Sequence, residues 1–496
     1  MKKITKLILL LLVLHSVNVV RIMGQTTFFK WSVSNTYEVM SSIIILHDSS
    51  YLLSGYGYPE GAMKSKAFLL HYDNMGNEIG KQFTSEDMDG SSFDNLFFMH
   101  DSLFAVKTNF REIGDKVYDE LWFCKVNTAE LTSQPVKKYR FIAGKICAPQ
   151  FVIKTEDGLF ILFLQFYLEH ANHKNGYFIT KFNQTFDTLT SFYDTNFTYN
   201  NWGLGLINNS AYDQLKSVAN FQYTTIINDF NYNLENIKTN VINPYITAFS
   251  ASNYNDSTYM TTGVHYQVED PERPIRYVVT RKYNWQDEVL DTAYYYNTTD
   301  DTVSYSGFMN NTLRFNDKIF VTGTYNVDTH NWPYQNEPSW IELTIYDTAL
   351  SRLKKCFYGG DAFYECWSIT QTPDNAVLIA GNRYDHNEPG YLYHPFILKV
   401  TTDGLLTANN NEPEKRAHDA IVFPNPGSKY LSVRSGPQIF GATFELFDLN
   451  GRLVKQEIIS KQTTTVSTTD MSTGTYVWRI LYKNKEVESG KWIKSL

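Results

Sequence analysis

Ile319-Phe320-Val321-Thr322-Gly323-Thr324-Tyr325, entered through Asn316-Asp317 and followed by Ile341-Glu342-Leu343-Thr344-Ile345-Tyr346-Asp347, decides the fold. Both runs are rich in the β-branched and aromatic residues that suit a pleated surface. The Asn-Asp pair ahead of them is turn chemistry. The same unit stands near the start of the chain, as Asp48-Ser49-Ser50, Tyr51-Leu52-Leu53-Ser54-Gly55-Tyr56 and Ala67-Phe68-Leu69-Leu70-His71-Tyr72-Asp73. It returns later as Pro373-Asp374-Asn375, Val377-Leu378-Ile379-Ala380-Gly381 and Phe396-Ile397-Leu398-Lys399-Val400-Thr401. A strand, a tight turn, an apolar strand, a variable loop and a third strand closing on a polar residue form one module.

The closing residues mark the period: Asp73, Asn127, Asn183, Asn231, Asn284, Asp347 and Thr401, spaced by 48 to 63 positions. That matches blades of about 50 residues and exceeds solenoid periods. A unit of three or four short strands cannot bury a face alone, so neighbours must stack. Seven units closing into a ring give an all-β fold, a seven-bladed β-propeller over 25–407. The fourth copy, around Leu206-Ile207 and Asn208-Asn209-Ser210, is degenerate. Phe28-Phe29-Lys30-Trp31-Ser32-Val33 is left over ahead of the first unit. An open ring would expose two sheet edges, so this segment is expected as the outer strand of the last blade. Two packed sandwiches would also space strands evenly, but would not require seven similar units.

The chain ends differently. Ala408-Asn409-Asn410-Asn411-Glu412-Pro413 opens a polar linker, 408–420, and a second small β module, a sandwich, follows over 421–496. It contains Pro424-Asn425-Pro426, then Asn450-Gly451-Arg452, then Gly474-Thr475-Tyr476, and closes on Lys491-Trp492-Ile493-Lys494. Asn-Gly is a strong hairpin turn, and Pro-Asn-Pro cannot lie in a central strand. This ordered set resembles the C-terminal sorting domain of cargo of the bacterial type IX secretion system. The resemblance implies partnership with that machinery, transit through the periplasm and delivery to the cell surface or medium, usually with removal of the tail. The N-terminus agrees. Lys2, Lys3 and Lys6 precede the apolar run Leu7 to Leu14, a signal peptide expected over 1–24 and too short to anchor the mature chain in a bilayer.

Composition narrows the rest. Net charge is −8, charged residues make up 19% and aromatics 16%. An acidic, sparsely charged chain lacks the basic footprint that nucleic acid requires. The sequence holds no His-Glu-x-x-His, no nucleophile elbow and no phosphate loop, so neither metal nor cofactor is expected. In an exported chain, Cys356 with Cys366 and Cys124 with Cys147 are possible disulfides, buried thiols being the alternative. Strand alternation would put the second-to-third-strand loops on one rim. They carry His265, Trp332, Tyr334, His386 and Tyr391, polar and aromatic groups suited to a glycan or protein ligand. Function therefore divides between a binding or adhesion propeller and an extracellular polysaccharide-degrading enzyme, a glycosidase or lyase.

Overall fold

The structure is a computed structural model that describes residues 27–85, 88–113, 116–141, 145–156, 158–167, 176–194, 204–210, 212–221, 224–244, 246–267, 275–294, 304–327, 337–386, 392–406, 420–435, 439–482 and 485–495. The expected signal peptide and all of the linker but Ala420 lie outside these residues. Ahead of the tail, the described residues form seven antiparallel sheets, and a β-propeller results. Sheet one runs outward from the axis as Tyr37–Ile45, Tyr51–Tyr58, Lys66–Tyr72 and Glu78–Phe83. Sheets two to six occupy 90–140, 145–194, 204–244, 246–294 and 304–359. Sheet seven comprises Phe363–Gln371, Val377–Tyr384 and Tyr393–Val400, and its outermost strand is Phe28–Trp31. Phe28 pairs with Lys399 and Trp31 with Phe396, so the leftover N-terminal segment supplies the closing strand.

Burial explains the sequence pattern. The middle strands pack on both faces, so Val377–Tyr384 and Tyr393–Val400 are buried at every position and read as unbroken runs. An outer strand has one wet face, and Thr132–Arg140 alternates between exposed and half-buried residues. One apolar cluster fills each gap between neighbouring sheets. Phe160, Leu162 and Ile179 meet Leu206, Leu215 and Phe230 between sheets three and four. Phe28, Leu378 and Ile397 meet Met40, Leu53 and Phe68 between sheets seven and one. The last cluster joins the two ends of the propeller sequence and closes the ring.

The polar residue that marks the period has a mechanical role. In each sheet it ends or directly follows the third strand, and its side-chain oxygen accepts two backbone N–H groups of the next turn. Asp73 Oδ1 takes Met75 and Asn77, Asn231 Oδ1 takes Asn233 and Glu235, and Asn284 Oδ1 takes Gln286 and Glu288, all within 2.8–3.0 Å. Thr401 does the same with its hydroxyl toward Asp403 and Leu405. The position three residues on adopts positive φ, at Gly76, Leu234, Asp287 and Gly404. An Asx-type turn thus sets the hairpin to the outer strand.

The tail has two sheets, Ile421–Phe423 with Tyr430–Arg434 and Thr463–Ser467, and Leu453–Ile458 with Thr443–Phe447, Gly474–Tyr482 and Lys485–Lys494. They sandwich a core of Leu431, Phe444, Leu446, Trp478, Ile480 and Trp492.

Candidate functional site

Two regions of the propeller combine polar and aromatic groups: the wall of the central channel, and the rim where second strands give way to third strands.

The channel wall is built by β-bulges. In five sheets the innermost strand carries one extra residue against its neighbour: Ser41, Asp94, Gln150, Phe249 and Trp367. A bulge leaves the preceding backbone groups without ladder partners, and here the neighbouring sheet supplies them. Met40 N–H donates to Asn382 Oδ1 at 2.8 Å. Ala248 N–H donates to Asn220 Oδ1, whose Nδ2 donates to the Ala248 carbonyl at 2.6 Å. The Ser54 hydroxyl donates to the Phe93 carbonyl, and Cys366 N–H to Thr324 Oγ1. In sheet six the inner strand is divided into Ser304–Ser306 and Thr312–Phe315. The residues between them lie along sheet seven, where Phe308 and Met309 N–H bond the Cys366 and Trp367 carbonyls.

An arc of rings results. Phe249 lies 5.1 Å from Tyr305 and 5.7 Å from Phe308, and Phe308 lies 6.1 Å from Trp367. Sheets one to three supply Ser41, Asp94 and Gln150 to the same wall. The Asp94 carboxylate accepts the Thr108 hydroxyl at 2.6 Å, yet burial pushes its pKa up to about 7. Trp367 donates its indole N–H to Glu365 Oε2 at 2.8 Å.

On the rim, sheets seven and one contribute tyrosines. Tyr37 stands 5.7 Å from Tyr58, 6.5 Å from Tyr56 and 5.6 Å from Tyr393, which stacks on Tyr384. Tyr384 and Tyr393 are buried, Tyr37 and Tyr56 half-buried, and Tyr58 is 41% exposed. Beside them, Arg383 is buried and paired with Asp385 at 2.8 Å and Asp361 at 3.3 Å.

Of the residues expected at a ligand site, His386 is half-buried next to this cluster, and its Nδ1 is enclosed without a hydrogen-bond partner among the described residues. His265 stands on sheet five, inside the strand Thr258–Gln267, stacked 6.0 Å from Tyr277. Burial and Arg281 hold its pKa below the usual imidazole range. Trp332, Tyr334 and Tyr391 lie outside the described residues. The second-to-third-strand connections are not uniformly long. Two of them, 114–115 and 222–223, join their strands with two residues each.

The Cys356–Cys366 disulfide is not formed, and both residues are free thiols. Cys356 is in the outermost strand of sheet six and Cys366 in the innermost of sheet seven, opposite radial ends of neighbouring sheets. Burial raises both pKa values, that of Cys366 to about 12. Cys124 is buried between sheets one and two, and the side chain of Cys147 lies outside the described ones.

The tail motifs interlock. Trp492 Nε1 donates to the Pro424 carbonyl at 2.6 Å, Asn425 Nδ2 donates to the Lys491 carbonyl, and Asn425 Oδ1 accepts Ile493 N–H at 2.9 Å. Gly474 opens the strand that pairs with Lys485–Lys494, placing Gly474 opposite Lys494 and Tyr476 opposite Trp492. Asp448 Oδ1 receives Asn450 and Arg452 N–H, and Gly451 takes positive φ.

Among solved structures, the α-L-arabinofuranosidase of Fusarium graminearum in complex with arabinobiose is similar at 10% identity and a TM-score of 0.41, covering 77% of this chain and 99% of its own. The β-propeller domain of the trilobed protease from Pyrococcus furiosus is similar at 10% identity and a TM-score of 0.39, over 75% of this chain and 97% of its own. The endo-arabinase from Bacteroides thetaiotaomicron reaches a TM-score of 0.30 at 9% identity, over 76% and 95%. None of the curated proteins matches the chain. No helix among the described residues is long and apolar enough to cross a membrane. Residues 421–495 match the family model of the secretion system C-terminal sorting domain. The tail is therefore a type IX sorting domain, and the β-propeller ahead of it is cargo for the cell surface or the extracellular space.

Proposed function

We propose that the exported propeller is a binding module that takes a glycan on the rim of sheets one and seven. The observation behind this reading is the tyrosine group Tyr37, Tyr56 and Tyr58, open to solvent on one side and backed by buried Tyr384 and Tyr393. Stacked rings of this kind grip the apolar face of a sugar while their hydroxyls bond its edge. Rigid backing keeps the entropy cost of binding low. His386 would extend the same surface, and Trp332, Tyr334 and Tyr391, outside the described residues, are proposed as further contacts. Tyr58→Ala tests it in two measurements. Melting should hold steady, because the ring is exposed, while affinity for an immobilised polysaccharide panel should drop by roughly threefold to tenfold. Unchanged affinity, or a protein ligand in place of a glycan, would overturn the proposal.

One observation favours the alternative of a polysaccharide-cleaving enzyme. Asp94 lies on the channel wall with a pKa near 7, the range a general acid needs at neutral pH. Release of reducing ends from soluble polysaccharide, abolished by Asp94→Asn, would establish that reading over simple binding.

A further inference from the structure

Where the sorting domain meets the propeller, it covers an aromatic surface at the end of sheet six. Phe423 packs edge-on against Trp340 at 4.9 Å and shares a buried cluster with Trp340 and Tyr325. The Arg434 guanidinium sits 5.4 Å from Trp340 and 5.5 Å from Tyr325. Gly360 lets them approach: a Cβ there would stand 2.7 Å from the Phe423 ring and 2.3 Å from Trp340 Nε1. Tyr430 reaches the same edge, where burial and the Asp361 and Asp385 carboxylates raise its phenol pKa.

Two details separate this contact from ordinary packing. Phe423 belongs to the shared cluster and not to the tail's own core. Among the described residues, the indole N–H of Trp340, 3% exposed, is buried without an acceptor. A buried unmade donor costs free energy, and the tail leaves it unmade. The surface therefore offers a ring face and a directed donor, a combination complete only with a ligand that carries an acceptor.

We infer that the sorting domain is a removable lid on a second ligand site, whose floor is Trp340 and Tyr325 and whose occupant, once the tail departs, is a ring-bearing hydrogen-bond acceptor of the sugar class. Its floor belongs to sheet six, whereas the tyrosine rim belongs to sheets one and seven, so Trp340→Ala and Tyr58→Ala tell the two apart. While the lid is down, apparent affinity falls by the fraction of time the site is open.

The test uses the full chain with Phe423→Ala, which weakens the lid without touching the core of either part. Arg434→Ala serves as a second variant should the first fold poorly. Hydrogen exchange across Trp340–Asp347 reports docking, and binding to immobilised xylan, mannan and starch reports the site. Faster exchange at Trp340 together with about tenfold or greater gain in binding to one polysaccharide, cancelled by adding Trp340→Ala, is the expected result. Unchanged exchange overturns the lid. Faster exchange with no gain on any of the three polysaccharides overturns the site beneath it. A gain lost in Tyr58→Ala but kept in Trp340→Ala would assign binding to the tyrosine rim and likewise overturn this inference.

Discussion

Asp94→Asn should remove a pH-dependent weakness from the propeller. Asp94 is the extra residue of the bulge in sheet two, half-buried on the channel wall. Burial is the dominant influence on its carboxyl, outweighing the hydrogen bonds from Thr108 and Ser92, and its pKa rises to about 7. An unfolded aspartate titrates near 3.9. A raised carboxyl pKa means that the folded state holds its proton more tightly than the unfolded state. Stability is then full below about pH 4 and is lost as pH climbs toward 7. A shift of about three units corresponds to roughly 4 kcal/mol at full burial, and water in the channel should reduce this to about 2. Asparagine is isosteric, accepts the same hydroxyl bonds and does not titrate. Chemical denaturation of both proteins at half-unit steps from pH 4.5 to 8 isolates the effect, because the histidines that also titrate there cancel in the difference. The variant should match the wild type at pH 4.5 and exceed it by about 2 kcal/mol at pH 8. A difference that stays flat across the range would refute the placement of Asp94 in a poorly solvated wall.

Asn382→Ala should cost about 2–4 kcal/mol, because it orphans the buried Met40 N–H and C=O at the seam between sheets seven and one; chemical denaturation measures it. Lys216 is buried against Asp229 at 2.5 Å and Asp287 at 2.8 Å, so Lys216→Met removes the cation between them, leaving Asp229 without its ion pair and Asp287 with Lys238 at 3.2 Å and the Tyr259 hydroxyl, and should cost about 3–5 kcal/mol, with part recovered on acidification to pH 4. Asn284→Ala removes the acceptor for Gln286 and Glu288 N–H in one exposed turn, and a shift of about 1 kcal/mol in denaturation midpoint is expected, without any change in export.

Much of the fold was readable because its signals are local. The marker residues Asp73, Asn231 and Asn284 recur because each must accept two N–H groups of the same turn. The tail was legible for a similar reason: Asn425 and Trp492 are fixed by a clasp that few other side chains could make. The channel wall was harder. A bulge is visible only as a slip in alternation, such as Phe93-Asp94-Asn95 or Cys366-Trp367-Ser368, and nothing in one strand announces that Phe249, Phe308 and Trp367 will meet from three sheets. The expectation of a disulfide failed because nearness in sequence between Cys356 and Cys366 hides a passage from the outside of one sheet to the inside of the next. Of the rim residues expected from loop position, His265 stands inside a strand, His386 lies beside the tyrosine cluster, and Trp332, Tyr334 and Tyr391 lie outside the described residues.

The pairing of Phe28–Trp31 with Tyr393–Val400 has a consequence in time. The strand Phe28–Trp31 is among the last to find its partner, because that partner is made some 365 to 371 residues later, as the pairs Trp31–Phe396 and Phe28–Lys399 show. Until then one face of sheet one stays uncovered, and the seam between sheets seven and one cannot be sealed. Long-range pairing of this kind is slow, since loop-closure entropy must be met before any contact rewards it. The two ends of the propeller cannot lock together while sheet seven is still being made, so the ring is finished only once Tyr393–Val400 is in place.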